Sequence, residues 1–332
     1  QLKANPFVLA PMAGITDCPF RSFMREMGAS VVVTELVSAT GLQFSSQKTM
    51  GLMKFEEMQR PIGIQIFGET LEHLSFAAKA VEDMGADFVD LNFGCPVPKV
   101  VKKGAGSAIL KDLDQMSLVL RTVKSAVNVP VTIKIRTGWE ESSKNSREVC
   151  QRAYDEGISW VGIHGRTRAQ GYAGEADWNY IAEVKATSPI PVLGNGDITS
   201  AKKAVSRLKE SGCDGVLIGR GCLKNPWIFR ESLKLWKESQ TISEERNLMD
   251  VFARLQYHLD RLCPERISLL QIKKFAAWFS AGYPDSAQFR KDLFRSQDRS
   301  EILSRIGEYF GRLEGLIAED TSQEPFLMGG HG

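Results

Sequence analysis

The chain is patterned by one alternation that severely limits how it can fold. Short runs rich in β-branched and aromatic residues alternate with longer charged segments whose apolar residues recur three or four apart. The runs are FVLAPMAG (7–14), VVVTELVSA (31–39), IGIQIFG (62–68), FVDLNFG (88–94), VTIKIRTG (131–138), WVGIHGR (160–166), PVLGNGD (191–197) and GVLIGRG (215–221). Between them, segments such as LEHLSFAAKAVEDMG (71–85) and SAKKAVSRLKESG (200–212) have the helical period and stop at glycine. Strands separated by helices pair in parallel, each helix filling a crossover. Eight such units within residues 1–240 match a closed (β/α)8 TIM barrel better than an open sheet.

The pattern ends near residue 240. Segments 244–262, 265–281 and 299–318 have helical periodicity, punctuated by Pro264 and by Gly-Tyr-Pro at 282–284. No strand-like run remains, so residues 241–332 are expected to form a smaller all-α domain with a frayed tail at 321–332. The length of 332 residues fits this division, being more than one ordinary domain needs. No stretch approaches the ~20 apolar residues of a membrane span, and the first residues show no basic-then-apolar leader pattern. The six cysteines (Cys18, Cys95, Cys150, Cys213, Cys222, Cys263) include no C-x-x-C pair and no histidine at zinc-ligand spacing. A metal-free protein of a reducing compartment, the cytoplasm, is therefore expected. A net charge of +2 means that any polyanionic partner must be met by a local basic patch.

In a parallel barrel one face of each strand points inward, and functional groups gather at the strand C-termini. Alternation puts Thr132, Lys134 and Arg136 on one face of VTIKIR and Val131, Ile133 and Ile135 on the other. By the same rule Gln65, Asp90, Asn92, His164, Arg166 and Asn195 face the mouth. Each alone could be an ordinary edge or core polar group. Together they cannot, because helices cover every strand's outer face and no second solvated face exists. Buried Lys134, Arg136 and His164 demand an anionic or hydrogen-bonding partner. Two glycine-rich turns, GNGD (194–197) and IGRG (218–221), follow the seventh and eighth strands, where this fold commonly binds phosphate. A phosphate there, with Lys134 and Gln65 across the mouth and Pro11 and Met12 as a wall, suits flavin mononucleotide (FMN).

The segment VDLNFGCPVPK (89–99) places Cys95 just past an inward-facing Asn92, on a loop stiffened by Pro96 and Pro98. Most lone cysteines are small core hydrophobes. This one sits outside the apolar run, at the functional face, and has no adjacent histidine. A thiol of ordinary pKa, about 8.5, stays protonated at neutral pH, so a general acid fits better than a nucleophile.

These residues resemble the tRNA-dihydrouridine synthases, most closely the bacterial B-type members. The matching stretches are APMAGITDCPFR (10–21), TELVSA (34–39), QIFG (65–68), DLNFGCPVPKVVKKGAGSAIL (90–110), TIKIRTGW (132–139), HGRTRAQGYAGEADW (164–178), LGNGDI (193–198) and IGRGCLKNPWIF (218–229). A weaker match continues through 271–293, similar to the family's helical tRNA-binding domain. The resemblance implies FMN contacts at Pro11, Met12, Ala13, Gln65, Lys134, His164, Asn195, Gly196, Asp197, Gly219 and Arg220. It implies that Cys95 is the proton donor and that Asn92 and Arg136 lie near the target base. The implied reaction reduces the C5=C6 bond of a D-loop uridine in tRNA with electrons from NADPH, hydride passing from flavin N5 to C6 and a proton from Cys95 to C5. The B-type likeness points to position 17, and the family is generally monomeric.

A uridine inside folded tRNA must be drawn out to be reduced. Lys99, with Lys102 and Lys103, follows Cys95 directly and could hold nearby phosphates. Lys273 and Lys274, with Arg290, Lys291 and Arg295, are the basic candidates of the helical domain. Trp139 either stacks on RNA or caps the core. A small-molecule FMN-barrel oxidoreductase of dihydroorotate dehydrogenase type would share the barrel and phosphate turns. It leaves the basic helical appendage and the HGRTRAQ block unexplained.

Overall fold

In the computed structural model, residues 2–238, 246–316 and 318–319 are described. The described strands are β1 (Phe7–Leu9), β2 (Val32–Val33), β3 (Val37–Ser38), β4 (Ile62–Phe67), β5 (Phe88–Phe93), β6 (Val131–Arg136), β7 (Val161–His164), β8 (Val192–Asn195) and β9 (Gly215–Ile218). All pair in parallel in the order β1-β9-β8-β7-β6-β5-β4-β2, with β3 also on β4. β2 and β3 are two halves of one stave, since Val32 lies beside Ile62 and Val37 beside Ile66. At the break, the Thr34 hydroxyl accepts from the Gln65 amide at 3.0 Å and stands in for a ladder carbonyl. Hydrogen bonds from Leu9 N to Val31 O (3.0 Å) and Ser30 N to Phe7 O (2.9 Å) close the ring. The result is an eight-stave barrel, as the alternation predicts.

Strand alternation separates two apolar cores. The outward residues, such as Ile62, Ile64, Ile66, Val131, Ile133 and Ile135, are buried beneath the helices. The inward set, Val8, Val33, Phe88, Leu193 and Leu217 with Trp160, fills the barrel floor. Glycines make that floor possible. A Cβ on Gly63 would stand 2.2 Å from the Phe88 ring, and one on Gly162 would stand 2.8 Å from Leu217 Cδ1. Filling the floor with one Phe and several branched side chains contributes roughly 2 kcal/mol for each buried. The polar residues are thereby raised to the C-terminal end.

The helices expected at 71–85 and 200–212 are Leu71–Asp83, capped by Thr70, and Ala201–Ser211, capped by Ser200 and ended by Gly212 at φ +65°. C-terminal helices run Leu248–Leu262, Glu265–Phe279, Ser286–Arg295 and Arg299–Gly311. The third was not anticipated, because ten residues with only Phe289 and Leu293 buried give a faint period. The expected boundary at 240/241 and the tail from 321 lie outside the described residues. The first two of these C-terminal helices pack on the barrel: Phe275 stacks on Phe20 of the Cys18–Glu26 helix at 4.9 Å, and Arg261 pairs with Glu56 at 2.6 Å. No described helix is long and apolar enough to cross a membrane.

Candidate active site

The strand register assembles a chain of hydrogen bonds from the barrel interior to the cysteine loop. It sets Gln65 beside Asp90, Asp90 beside Thr132, and Asn92 beside Lys134. Asp90 accepts from Thr132 Oγ1 at 2.6 Å and from Gln65 Nε2 at 2.7 Å. Burial pushes the Asp90 carboxyl up to about 6, against the pull of these two donors and of Lys134. Gln65 Oε1 accepts from Asn92 Nδ2 at 2.8 Å. Asn92 Oδ1 in turn accepts from Cys95 N at 2.8 Å and Gly94 N at 3.2 Å. This Asx turn fixes the loop on which the thiol sits.

Cys95 is pinned from a second side. Its carbonyl accepts from Ser107 N at 3.1 Å and Ser107 Oγ at 2.9 Å. Gly106, at φ +60°, permits this approach, since its Cβ would lie 2.8 Å from the same carbonyl oxygen. Burial pushes the Cys95 thiol up, outweighing the Val97 amide and the Arg136 charge that favour thiolate. The thiol is therefore protonated at neutral pH. Arg136, buried, donates from Nε to Gly94 O at 2.9 Å and from Nη1 to Thr167 O at 3.0 Å and Gly171 O at 2.7 Å. Burial lowers it to about 10.

Across the mouth the character is cationic. Lys134 Nζ donates to Asn195 Oδ1 at 3.0 Å, and Asn195 Nδ2 donates to Leu217 O at 2.8 Å. Burial first, then the Arg136 charge, lower Lys134 to about 8, with Asp90 opposing. His164 Nε2 lies 3.3 Å from Arg166 Nη1. A guanidinium can only donate, so Nε2 accepts and Nδ1 carries the proton. Burial, then Lys134, Arg136, Arg166 and Arg220, hold His164 well below its ordinary pKa, hence neutral.

The glycine turns complete this side. Asp197, at φ +51°, accepts at Oδ2 from Arg166 Nη2 at 2.9 Å and Ala176 N at 2.7 Å. Trp178 Nε1 donates to Gly196 O at 3.0 Å, and a Cβ on Gly196 would stand 2.4 Å from that of Ala176. A Cβ on Gly219 would rest in ordinary contact, 3.7 Å from Met12 Sδ and 3.9 Å from Ala10 Cβ. The guanidiniums of Arg220 and Arg136 lie 4.8 and 5.7 Å from the Tyr172 ring centroid. Lys134, Arg136, Arg166 and Arg220 thus all act on His164, while Asp90 attracts Lys134 and Asp197 pairs with Arg166. Cations gathered beside two glycine-rich turns fit a phosphate-bearing anion.

The expected substrate contacts sit in different surroundings. Asn92 faces the mouth with its carboxamide bonded to Gln65, Gly94 and Cys95. Lys273 is buried, with Nζ donating to the Ser296 carbonyl, and is not a surface contact. Lys274 Nζ donates to Gly14 O at 2.7 Å and lies 4.9 Å from the Trp278 ring centroid. Lys99 is exposed, as expected. Trp139 has Lys111 and Arg168 at 4.9 and 4.4 Å from its ring centroid.

The sequence matches the family model described as Dihydrouridine synthase (Dus) over residues 8–312. The chain belongs to the dihydrouridine synthase family. It is 38% identical over 314 residues to tRNA-dihydrouridine synthase B of Pseudomonas syringae pv. tomato, covering 93% of this chain and 92% of that protein. It is also 38% identical over 323 residues to tRNA-dihydrouridine synthase B of Pseudomonas putida, covering 95% of each. A probable tRNA-dihydrouridine synthase of Rickettsia bellii is 37% identical over 316 residues, with 93% and 96% covered. Two solved structures, each 14% identical, share the fold alone, and the chain spans about half the length of each. They are 6-hydroxypseudooxynicotine amine oxidase of Pseudomonas geniculata N1 (TM-score 0.56, covering 75% of this chain and 50% of that one) and histamine dehydrogenase of Rhizobium sp. 4-9 (0.50, covering 69% and 46%).

As a dihydrouridine synthase family member, the chain is an FMN-dependent oxidoreductase. Its site includes residues that the sequence reading passed over. Ser107 was visible only as part of a long matching block, and Tyr172 only as part of another. Neither lies on a strand, so alternation gave no signal for them.

Proposed function

We propose that this protein reduces the C5=C6 bond of a D-loop uridine in tRNA to dihydrouridine, with bound FMN and with NADPH as electron donor. The observation that carries the proposal is a cysteine, Cys95, whose loop is pinned by Asn92 and Ser107 at a barrel mouth whose other side gathers cations and glycine-rich turns. The names of the relatives support the tRNA substrate. FMN would be held by Pro11, Met12 and Ala13 as a wall and by Gln65 and Lys134 at the ring's polar edge. His164, Asn195–Gly196–Asp197 and Gly219–Arg220 would take its remaining polar groups. When bound, FMN supplies the hydride for C6 of the uracil.

The chain's own residues supply the proton. Cys95 Sγ gives its hydrogen to C5, and the resulting thiolate is eased by the nearby Arg136 charge until water reprotonates it. Because Arg136 also props Gly94, the same side chain aims the acid and stabilises its conjugate base. Asn92 prevents the thiol from drifting. The C-terminal helices and the exposed Lys99 rim would hold the rest of the tRNA, in the cytoplasm where tRNA is processed. The test is to purify the protein, record its flavin absorbance, and incubate it with NADPH and unmodified tRNA. Dihydrouridine should form. Turnover of dihydroorotate with no dihydrouridine would overturn the proposal.

A further inference from the structure

Gly14 lies in the Met12–Asp17 turn that follows β1, and two side chains from outside the turn take its backbone groups. The turn closes on itself through Thr16, whose N–H donates to Met12 O at 3.0 Å and whose Oγ1 accepts from Met12 N at 3.0 Å. At φ +70°, Gly14 leaves its N–H and C=O directed away from these bonds. Glu35, from the break between β2 and β3, accepts the Gly14 N–H. Lys274, 260 residues along the chain, donates to Gly14 O at 2.7 Å. One turn of the Glu265–Phe279 helix earlier, Gln271 Nε2 donates to Asp17 Oδ2 at 3.3 Å. Next to Lys274, Phe275 stacks on Phe20 with an interplanar angle of 12°. A helix far downstream is thus keyed, by side chains three and four residues apart, into the turn that carries Pro11, Met12 and Ala13.

Lys274 is half-buried and set among protein partners. Burial lowers its pKa, with Asp17 and Glu35 opposing. Burial likewise raises Asp17, to about 6, and Glu35. With its ammonium on a carbonyl and beside the Trp278 ring, this half-buried lysine has exchanged part of its hydration for protein contacts. Drawing it out to a tRNA phosphate would leave the Gly14 carbonyl without its charged donor.

We propose that Lys274 is a positioning residue that locks the Pro11–Gly14 wall of the cofactor pocket to the C-terminal helices, rather than a contact to tRNA. This inference rests on the reading that the wall faces FMN. It makes the pocket's shape depend on how the helical part is seated, with Glu35 holding the same glycine from the barrel side.

The test is FMN titration of the apoprotein, followed by flavin fluorescence and visible absorbance, without tRNA. Lys274→Met should weaken FMN binding about tenfold and shift the flavin spectrum, while Lys274→Arg should restore affinity to within about threefold. Glu35→Leu, which removes the acceptor for the Gly14 N–H from the barrel side, should weaken FMN in the same sense. It carries the test if Lys274→Met fails to fold. For Lys274→Met, the slope of log Kd for tRNA against log salt should match that of the unchanged protein. Wild-type FMN affinity in Lys274→Met, with a tRNA salt slope reduced by about one, would overturn the proposal in favour of a phosphate contact. Absence of FMN binding by the unchanged protein would instead overturn the functional reading beneath it.

Discussion

The two sides of the barrel mouth are built on opposite principles. On the β4–β6 side, amide and hydroxyl groups bind one another in series, from Thr132 through Asp90, Gln65 and Asn92 to the backbone of Cys95. On the β7–β9 side, cations gather around a neutral His164, and glycine-rich turns follow β8 and β9. The first side holds the proposed proton donor in place through a continuous series of hydrogen bonds. The second gathers cations in a setting that favours a bound anion. Rigidity serves an acid whose approach must be fixed, and gathered positive charge serves a site that must capture its ligand.

If that division is right, removing the acid should damage chemistry and leave cofactor capture alone. Cys95→Ala is expected to retain FMN, judged by its visible spectrum, while uridine reduction falls by about 10²–10⁴. Full activity of this variant on native tRNA would break the assignment. The converse variant, Lys134→Met, should weaken FMN binding by roughly 10–100-fold, the worth of a buried charge-assisted contact. A pH titration sharpens it. Lys134 loses its proton near 8, so its contribution to binding an anion is present below that pH and fades as pH rises through it. For the apoprotein the sign reverses. The unfolded chain keeps the lysine protonated up to its ordinary value of 10.5, so stability rises with pH between about 8 and 10.5. In Lys134→Met both dependences should vanish from that window.

A smaller effect separates holding the acid from being it. Asn92→Ala removes the acceptor for Cys95 N and the donor to Gln65 while leaving the thiol in place. The expected loss is about tenfold in kcat with FMN affinity little changed, because only the aim of the acid suffers. If FMN affinity fell as far as kcat, the two sides would not be separable.

What the sequence made legible follows the same division. Strand alternation identified Gln65, Lys134, His164 and Asn195 as mouth residues, because inward direction is a period-two property that short strands keep. The position of Cys95 beyond its strand was equally readable. Partners were not. Alternation says that Asn92 faces inward, yet only the register with β4 shows that its amide is taken by Gln65. The burial of Lys273 was hidden for a related reason. Two adjacent lysines suggest a solvated helix face, but the Glu265–Phe279 helix packs on the barrel through Phe275 and also against the Leu248–Leu262, Ser286–Arg295 and Arg299–Gly311 helices. Ile272, Lys273, Phe275, Ala276 and Phe279 are buried around most of its circumference. The burial of a helix on several sides comes from tertiary packing, which a single helical period does not report.

The smallest expected effect lies at the rim, where the two sides meet solvent. Lys99 is exposed on the short Pro98–Val101 helix directly behind Cys95, whereas nearby Lys103 is held by Glu69 at 3.1 Å. A phosphate contact there needs a cation that can move to its target, which favours Lys99. Lys99→Ala should therefore weaken tRNA binding only a few-fold and reduce the salt slope by about one. It should leave FMN affinity and the pH profile untouched, since no charged group of the pocket shifts with it. Lys273→Met makes the matching control, because that side chain is equally basic in sequence yet faces Ser296 in the interior. It should cost folding stability, about 1–3 kcal/mol for the unsatisfied carbonyl, with no change in salt slope. Were Lys273→Met to flatten the salt dependence while Lys99→Ala did not, the tRNA would have to approach across the C-terminal helices rather than over the cysteine loop.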